Sequence, residues 1–128
     1  MPPYEPEITS PKNPRVRHAI GLRDRRAREE TGLTVVDGVR ELERAMASGV
    51  RPIEVFVDLA RLDAPARDLL ALARERGALV LPTSGAALER LGFGDRAEGL
   101  VATVPVPELS LAALRLPENP LVVVLEGV

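Results

Sequence analysis

The chain has 128 residues, which is enough for one domain with a single hydrophobic core. Hydrophobic residues make up 45% of the chain and charged residues 28%, a balance typical of soluble globular proteins that argues against disordered, collagen-like and membrane classes. Cysteine is absent and His18 is the one histidine, which excludes disulfides, thiolate chemistry and two-histidine zinc sites. We therefore expect no metal site, no membrane partner and a cytoplasmic location.

The first part of the chain combines a proline-rich start with a dense run of positive charge. Residues 1–11 contain four prolines and are expected to form an extended, poorly ordered lead-in. Asn13 is expected to cap a single helix that begins at Pro14 and ends at Gly32. Residues 12–28 hold seven basic residues and one acidic residue, and sixteen of the seventeen basic residues of the chain are arginine. Such a run is typical of a surface that contacts a polyanion.

From residue 33 onward, short apolar runs alternate with amphipathic segments. The pattern predicts strands at 33–36, 53–57, 78–81 and 99–104, and helices at 37–49, 63–77 and 84–91. Strands that alternate with helices favour parallel pairing under helices on both faces. The predicted fold class is therefore α/β, as a three-layer α/β/α sandwich with a mainly parallel sheet.

The last part of the chain differs in composition. Four prolines space out residues 105–120, which are predicted to be a linker, and residues 121–125 form an unbroken apolar run that predicts a buried strand. A buried strand needs neighbours that the preceding sequence does not supply. We therefore expect residues 121–128 to be the first strand of a second domain, and residues 12–104 to be the first domain.

The start of the predicted helix at 37–49 carries opposed charges. Asp37 is interpreted as its N-cap. Arg40 lies in the first turn, where a cation opposes the helix dipole, and Arg44 lies one turn later on the same face. An anion would relieve both arginines. Two solvated arginines paired with Glu41 and Glu43 are an equally consistent interpretation.

Four segments of the chain carry a family pattern. They read ITSPKNPRVR at 8–17, VVDGVREL at 35–42, AEGLVA at 97–102 and NPLVVVLEGV at 119–128. In this order they resemble the SpoU (TrmH) family of RNA 2′-O-ribose methyltransferases. Asp37 departs from that pattern, where glutamate is more frequent, and Ala97 with Glu98 replace a frequent Pro-Gln.

The resemblance implies that residues 12–104 are an RNA substrate-binding domain, similar to the ribosomal protein that recognises kink-turn RNA, and that residues 121–128 open a knotted methyltransferase domain. It implies no catalytic residue and no bound cofactor in this chain, with S-adenosylmethionine as the cofactor of the parent enzyme. The implied partner is structured RNA, expected to be ribosomal. The parent is expected to be a homodimer through its other domain, and this chain a monomer or weakly self-associating. The expected RNA contacts are Lys12, Asn13, Arg15, Arg17, Arg23, Arg25, Arg26 and Arg40.

Two other functions remain open from the sequence. A stand-alone RNA-binding module of the kink-turn type would use the basic run but would leave residues 121–125 without a partner. A small α/β scaffold for a protein or metabolite would fit the acidic remainder of the chain and its 2% aromatic content, which offers little base stacking. Salt-dependent binding to structured RNA separates the methyltransferase domain and the stand-alone RNA-binding module from the protein- or metabolite-binding scaffold.

Overall fold

A computed structural model of the chain describes residues 4–92 and 98–127. These residues form a four-stranded sheet in the order β1-β4-β2-β3, with β1 at Leu33–Asp37, β2 at Glu54–Val57, β3 at Leu79–Pro82 and β4 at Leu100–Pro105. The helices are α1 (Pro14–Gly21), α2 (Arg25–Thr31), α3 (Val39–Ala47), α4 (Ala64–Glu75) and α5 (Gly85–Leu91). The four strands predicted between residues 33 and 104 and the three later predicted helices are therefore present, with small shifts at their ends.

The sheet separates two hydrophobic clusters. Helices α3 and α4 cover one face, where Leu42 and Leu69 belong to the same buried cluster as Val55. Helices α1 and α5 cover the other face, where Val16 packs in a cluster with Phe56. Adjacent strand residues such as Val55 and Phe56 point to opposite faces, so each strand contributes to both clusters. The predicted three-layer α/β/α arrangement is confirmed.

The prediction of a mainly parallel sheet is wrong. Strands β2 and β3 pair in parallel, but β4 runs antiparallel to both β1 and β2. The reason lies in α5, which begins beside the carboxyl end of β3 and ends at Gly92, where a Cβ would lie 3.3 Å from Asp37 Oδ2 at the carboxyl end of β1. A helix of seven residues, about 10 Å long, thus follows this edge of the sheet without returning to the amino ends. The next strand enters from the same edge and must run in the opposite direction.

The single helix predicted between Pro14 and Gly32 is two helices. Asn13 caps α1 as predicted, its side chain accepting a hydrogen bond from the Arg15 backbone N–H at 2.9 Å. The chain then turns at Leu22, which is 2% exposed, and Asp24 caps α2 by accepting from the Arg26 N–H at 2.7 Å. Burying Leu22 redirects the chain, and the capping carboxylate of Asp24 offers the backbone donors an alternative to continuing α1.

Within residues 4–11 of the lead-in, the expectation of poor order is wrong at Ile8. This residue is 7% exposed, its N–H donates to the Pro82 carbonyl at 2.8 Å, and its carbonyl accepts from the Ser84 N–H at 2.9 Å. The lead-in therefore pairs alongside the end of β3. An apolar side chain at position 8 gains burial there, while the two hydrogen bonds satisfy its backbone.

Residues 105–127 are exposed along their whole length. They contain a short 3-10 helix at Leu111–Ala113, and the pKa of Glu108 lies below its ordinary value because its carboxylate accepts a hydrogen bond from the Ser110 N–H. The predicted strand at 121–128 makes no β pairing within residues 121–127, whose apolar side chains face solvent. Within the described ranges, no helix is long and apolar enough to cross a membrane.

Candidate nucleic-acid interface

The start of α1 is fastened to the sheet by a charge pair. The Arg15 guanidinium donates to the carboxylate of Glu54, the first residue of β2. The Glu54 side chain is 12% exposed, and its backbone N–H donates to Thr103 Oγ1 on β4 at 3.2 Å. About half of the Arg15 side chain stays accessible. This predicted RNA contact therefore already holds a buried carboxylate, which fixes the N-terminal turn of α1 at the amino edge of β2.

Three of the predicted RNA contacts line one open groove at this edge. Its volume is about 550 Å³, and Lys12, Asn13 and Arg15 lie along it with residues 5–10 and Leu81. The Asn13 side chain is engaged as a cap and the Arg15 side chain in its ion pair. The Lys12 ammonium is the cation that this groove offers to an anion, with Glu5 and Glu7 on the same lining opposing it.

Two arginines cover the carbonyl groups that end α1 and α5. Arg23 Nη2 donates to the carbonyls of Arg90, Leu91 and Gly92 at 2.8, 3.2 and 2.7 Å. Arg28 Nη1 donates to the carbonyls of Leu22 and Arg23 at 2.9 and 2.7 Å. Carbonyls at a helix C-terminus lack intrahelical partners and carry partial negative charge, so these guanidinium groups both satisfy and neutralise them. Arg23, a predicted RNA contact, thus joins the α1–α2 turn to the end of α5.

The charge of α2 is largely balanced within the helix. Arg25 Nε lies 2.7 Å from Glu29 Oε1, and Arg26 Nε lies 2.8 Å from Glu30 Oε1. All four side chains are exposed, so each pair stabilises the helix by only about 0.3–0.5 kcal/mol. The positive charge counted over residues 12–28 overstates the local charge, because the count ends one residue before Glu29. Arg25 and Arg26 are correspondingly weaker candidates for RNA contact.

The interpretation of Asp37 as a helix N-cap is wrong. Asp37 is the last residue of β1, and Gly38 occupies the N-cap position of α3 at φ 116° without a side-chain cap. A Cβ at Gly38 would collide with the carboxylates of Glu41 and Glu98. The N-cap position has a positive φ, which glycine adopts more readily than aspartate. The helix therefore begins one residue later than it would with Asp37 as its cap. Ala97, part of the same family segment as Glu98, lies outside the described residues.

Arg40 is exposed on α3, on the opposite face of the sheet from α1. The alternative pairing of Arg40 and Arg44 with Glu41 and Glu43 is not found among the ion pairs of the described ranges. The structure therefore does not bring Arg40 together with the cations of α1.

The predicted RNA contacts thus fall into three places: the amino-edge groove, the α1–α2 layer and the start of α3. Within residues 4–92 and 98–127, the side chains of Lys12, Arg17 and Arg40 have no hydrogen-bond or ion-pair partner. Arg90, which is not among the RNA contacts predicted from the sequence, is exposed in the last turn of α5, where its carbonyl accepts from the Arg23 guanidinium. The described part of the chain holds no group of three or more metal-ligating side chains.

The described residues thus form a three-layer α/β/α domain that carries exposed cations on helices of both faces. A family model described as the MRM3-like substrate binding domain matches residues 13–102. The chain belongs to this family. The resemblance to the substrate-binding domain of SpoU-family methyltransferases, identified from the sequence, is thereby confirmed.

Solved structures agree with this assignment. The crystal structure of an RNA 2′-O ribose methyltransferase is 29% identical to the chain, with a TM-score of 0.76 over 90% of this chain and 43% of its own length. The SpoU methyltransferase AviRb from Streptomyces viridochromogenes, solved with AdoMet, is 28% identical, with a TM-score of 0.69 over 84% of this chain and 40% of its own. An AdoMet-bound rRNA methyltransferase from Sinorhizobium meliloti, 20% identical with a TM-score of 0.72, shares the fold over 88% of this chain and 41% of its own.

The chain therefore spans less than half the length of these structures. A comparison with curated proteins finds no significant match.

Proposed function

We propose that this chain binds structured RNA, and ribosomal RNA in particular, as the substrate-binding domain of a SpoU-family RNA 2′-O-ribose methyltransferase. The observation that carries the proposal is the family match over residues 13–102, supported by similarity to an RNA 2′-O ribose methyltransferase over 90% of the chain. The methyl transfer itself is assigned to the part of the parent protein that this chain does not cover.

The binding chemistry follows from the cations that have no partner in the described structure. Lys12 and Arg17 offer charge along the start and exposed side of α1, and Arg40 offers it on α3. A guanidinium can donate two parallel hydrogen bonds to one phosphate, whereas the lysine acts as a point charge. Such contacts position an RNA backbone without reading its sequence, because the phosphate is the same at every nucleotide.

S-adenosylmethionine, the cofactor of the proposed parent enzyme, does not fit the residues described here. The grooves at Lys12, at Tyr4 and at Met46 are open surface clefts rather than enclosed pockets, and charged side chains contribute to the lining of each. A cofactor of this size is ordinarily enclosed in a concave and largely apolar pocket. We assign the cofactor to the uncovered part of the parent, together with homodimer formation, and we propose a cytoplasmic location from the cysteine-free composition.

The test is a salt titration of RNA affinity with charge-removing variants of the full chain. A fluorescein-labelled ribosomal RNA hairpin is the probe, and Lys12→Gln, Arg17→Gln and Arg40→Gln are compared with the unaltered protein. Each contact that is lost should reduce the slope of log affinity against log salt by about 0.7–0.9, because one phosphate then keeps its condensed counterions.

The matched control is Arg115→Gln, which removes the same charge from the exposed segment beyond β4. Arg74 is less suitable as a control, because its guanidinium lies 5.3 Å from the centroid of the Tyr4 ring and supports the docked lead-in. If Arg115→Gln reduces the slope as much as the three test variants do, binding is non-specific charge attraction and the proposed surface is wrong.

A further inference from the structure

The place where α1 and α5 end together has an unusual electrostatic make-up. The carbonyls that end two helices would repel an anion, since each helix C-terminus is equivalent to about half a negative charge. Here the carbonyl of Leu22 at the end of α1 is covered by Arg28, and three carbonyls at the end of α5 are covered by Arg23. At each helix end, the full positive charge of one guanidinium therefore outweighs the partial negative charge of the carbonyl groups.

Arg90 adds a cation at the same place. Its carbonyl accepts a hydrogen bond from Arg23 Nη2 at 2.8 Å, so its backbone lies directly at the α1–α2 turn. Its side chain is exposed and has no ion-pair or hydrogen-bond partner within the described ranges. The neighbouring carboxylate of Glu89 lies 3.8 Å from Arg61 Nη2, so a different cation engages it.

Arg17 extends this surface along α1. It is exposed, has no partner in the described part of the chain, and precedes the C-cap Leu22 by five residues, about 7.5 Å of helix. Helices α1 and α5 pack against each other, so Arg17 and Arg90, neither of which has a side-chain partner within the described ranges, lie in the same helical layer. Arg17 and Arg90 are far apart in the sequence, and packing alone brings them to one layer.

We propose that the junction of the α1 and α5 C-termini is a phosphate-binding surface for the RNA backbone, and that Arg90 is one of its direct contacts. This inference rests on the proposed function, because the anion it names is the backbone phosphate of the RNA substrate. Arg23 and Arg28 act as positioning residues that hold the helix ends and cancel their negative potential, whereas Arg17 and Arg90 donate to phosphate oxygens.

The experiment measures affinity of the full chain for a fluorescein-labelled ribosomal RNA hairpin between 0.05 and 0.3 M KCl, using Arg90→Gln, Arg90→Lys and the control Arg115→Gln. We expect Arg90→Gln to lower the log–log salt slope by about 0.7–0.9 and to weaken binding about five- to eightfold at 0.1 M salt. Arg90→Lys keeps the charge and should retain the slope. The midpoint of thermal unfolding should not change for any of the three, because both side chains are exposed.

The outcomes separate this inference from the function on which it rests. If Lys12→Gln and Arg40→Gln lower the slope while Arg90→Gln behaves like Arg115→Gln, the chain binds RNA but Arg90 is not a contact at the α1–α5 junction, and the inference is wrong. If the unaltered chain shows no salt-dependent affinity for the hairpin, the proposed function and this inference both fail.

Discussion

The ion pair between Arg15 and Glu54 should contribute measurably to stability. The Glu54 side chain is 12% exposed and that of Arg15 is 52% exposed, so the pair is intermediate between a buried and a surface ion pair. Removing one partner of a fully buried pair costs about 3–5 kcal/mol, and surface pairs contribute about 0–1 kcal/mol. We therefore expect Arg15→Ala to lower the free energy of unfolding by about 2 kcal/mol.

Urea unfolding followed by circular dichroism measures this loss, and a second substitution identifies its cause. Most of the cost should arise from the unpaired carboxylate, so Glu54→Gln added to Arg15→Ala should recover about 1 kcal/mol, a coupling that a double-mutant cycle reports. Arg17→Ala is the matched control on the same helix, because its exposed side chain has no partner in the described structure. If Arg15→Ala and Arg17→Ala unfold alike, within about 0.5 kcal/mol, the pair does not hold α1 on β2 and the structural role given to Arg15 is wrong.

Two further predictions concern the backbone and the C-terminal segment. Gly38→Ala should destabilise the chain by about 1–3 kcal/mol, because position 38 has φ 116° and a Cβ there meets the Glu41 and Glu98 carboxylates. Gly21→Ala, where a Cβ meets nothing within 4 Å, should be neutral or stabilising. Thermal unfolding of both variants measures the difference, and an equal loss of stability at the two sites would mean that the backbone conformation of Gly38 is not the cause. Removing residues 118–128 should leave the unfolding midpoint within about 2 °C, because the removed residues that the structure describes are all exposed, and should reduce any self-association seen by light scattering. A large drop in the midpoint would mean that this segment belongs to the sheet of the domain.

The sequence predicts the layers of this fold because the relevant patterns are local. The apolar residues at 53–57 identify a strand, and the apolar spacing of α4 identifies a helix and its buried face, without reference to the rest of the chain. The direction of β4 is not local, since it depends on where α5 ends relative to Asp37. The break between α1 and α2 also depends on packing, because Leu22 ends α1 by entering the core.

The candidate site is harder to predict than the fold. The pairing of Arg25 with Glu29 has a four-residue spacing that is visible in the sequence, and extending the charge count by two residues reveals it. The pairing of Arg15 with Glu54 joins positions 39 residues apart, and the contact of Arg23 with the Arg90 carbonyl joins positions 67 apart. Composition shows that a surface is rich in arginine, but only the folded chain shows which guanidinium groups are already engaged.

The measurement that tests the central claim most directly is the salt dependence of affinity between the unaltered chain and a ribosomal RNA hairpin. Lys12, Arg17 and Arg40 have no side-chain partner among residues 4–92 and 98–127, and each phosphate contact that they make should contribute about 0.7–0.9 to the slope. We expect a log–log slope of about −2.1 to −2.7 from these three contacts, and of about −2.8 to −3.6 when Arg90 is a fourth. Absence of binding at 0.05 M salt, or an affinity that does not change with salt, would contradict the assignment of this chain as an RNA substrate-binding domain.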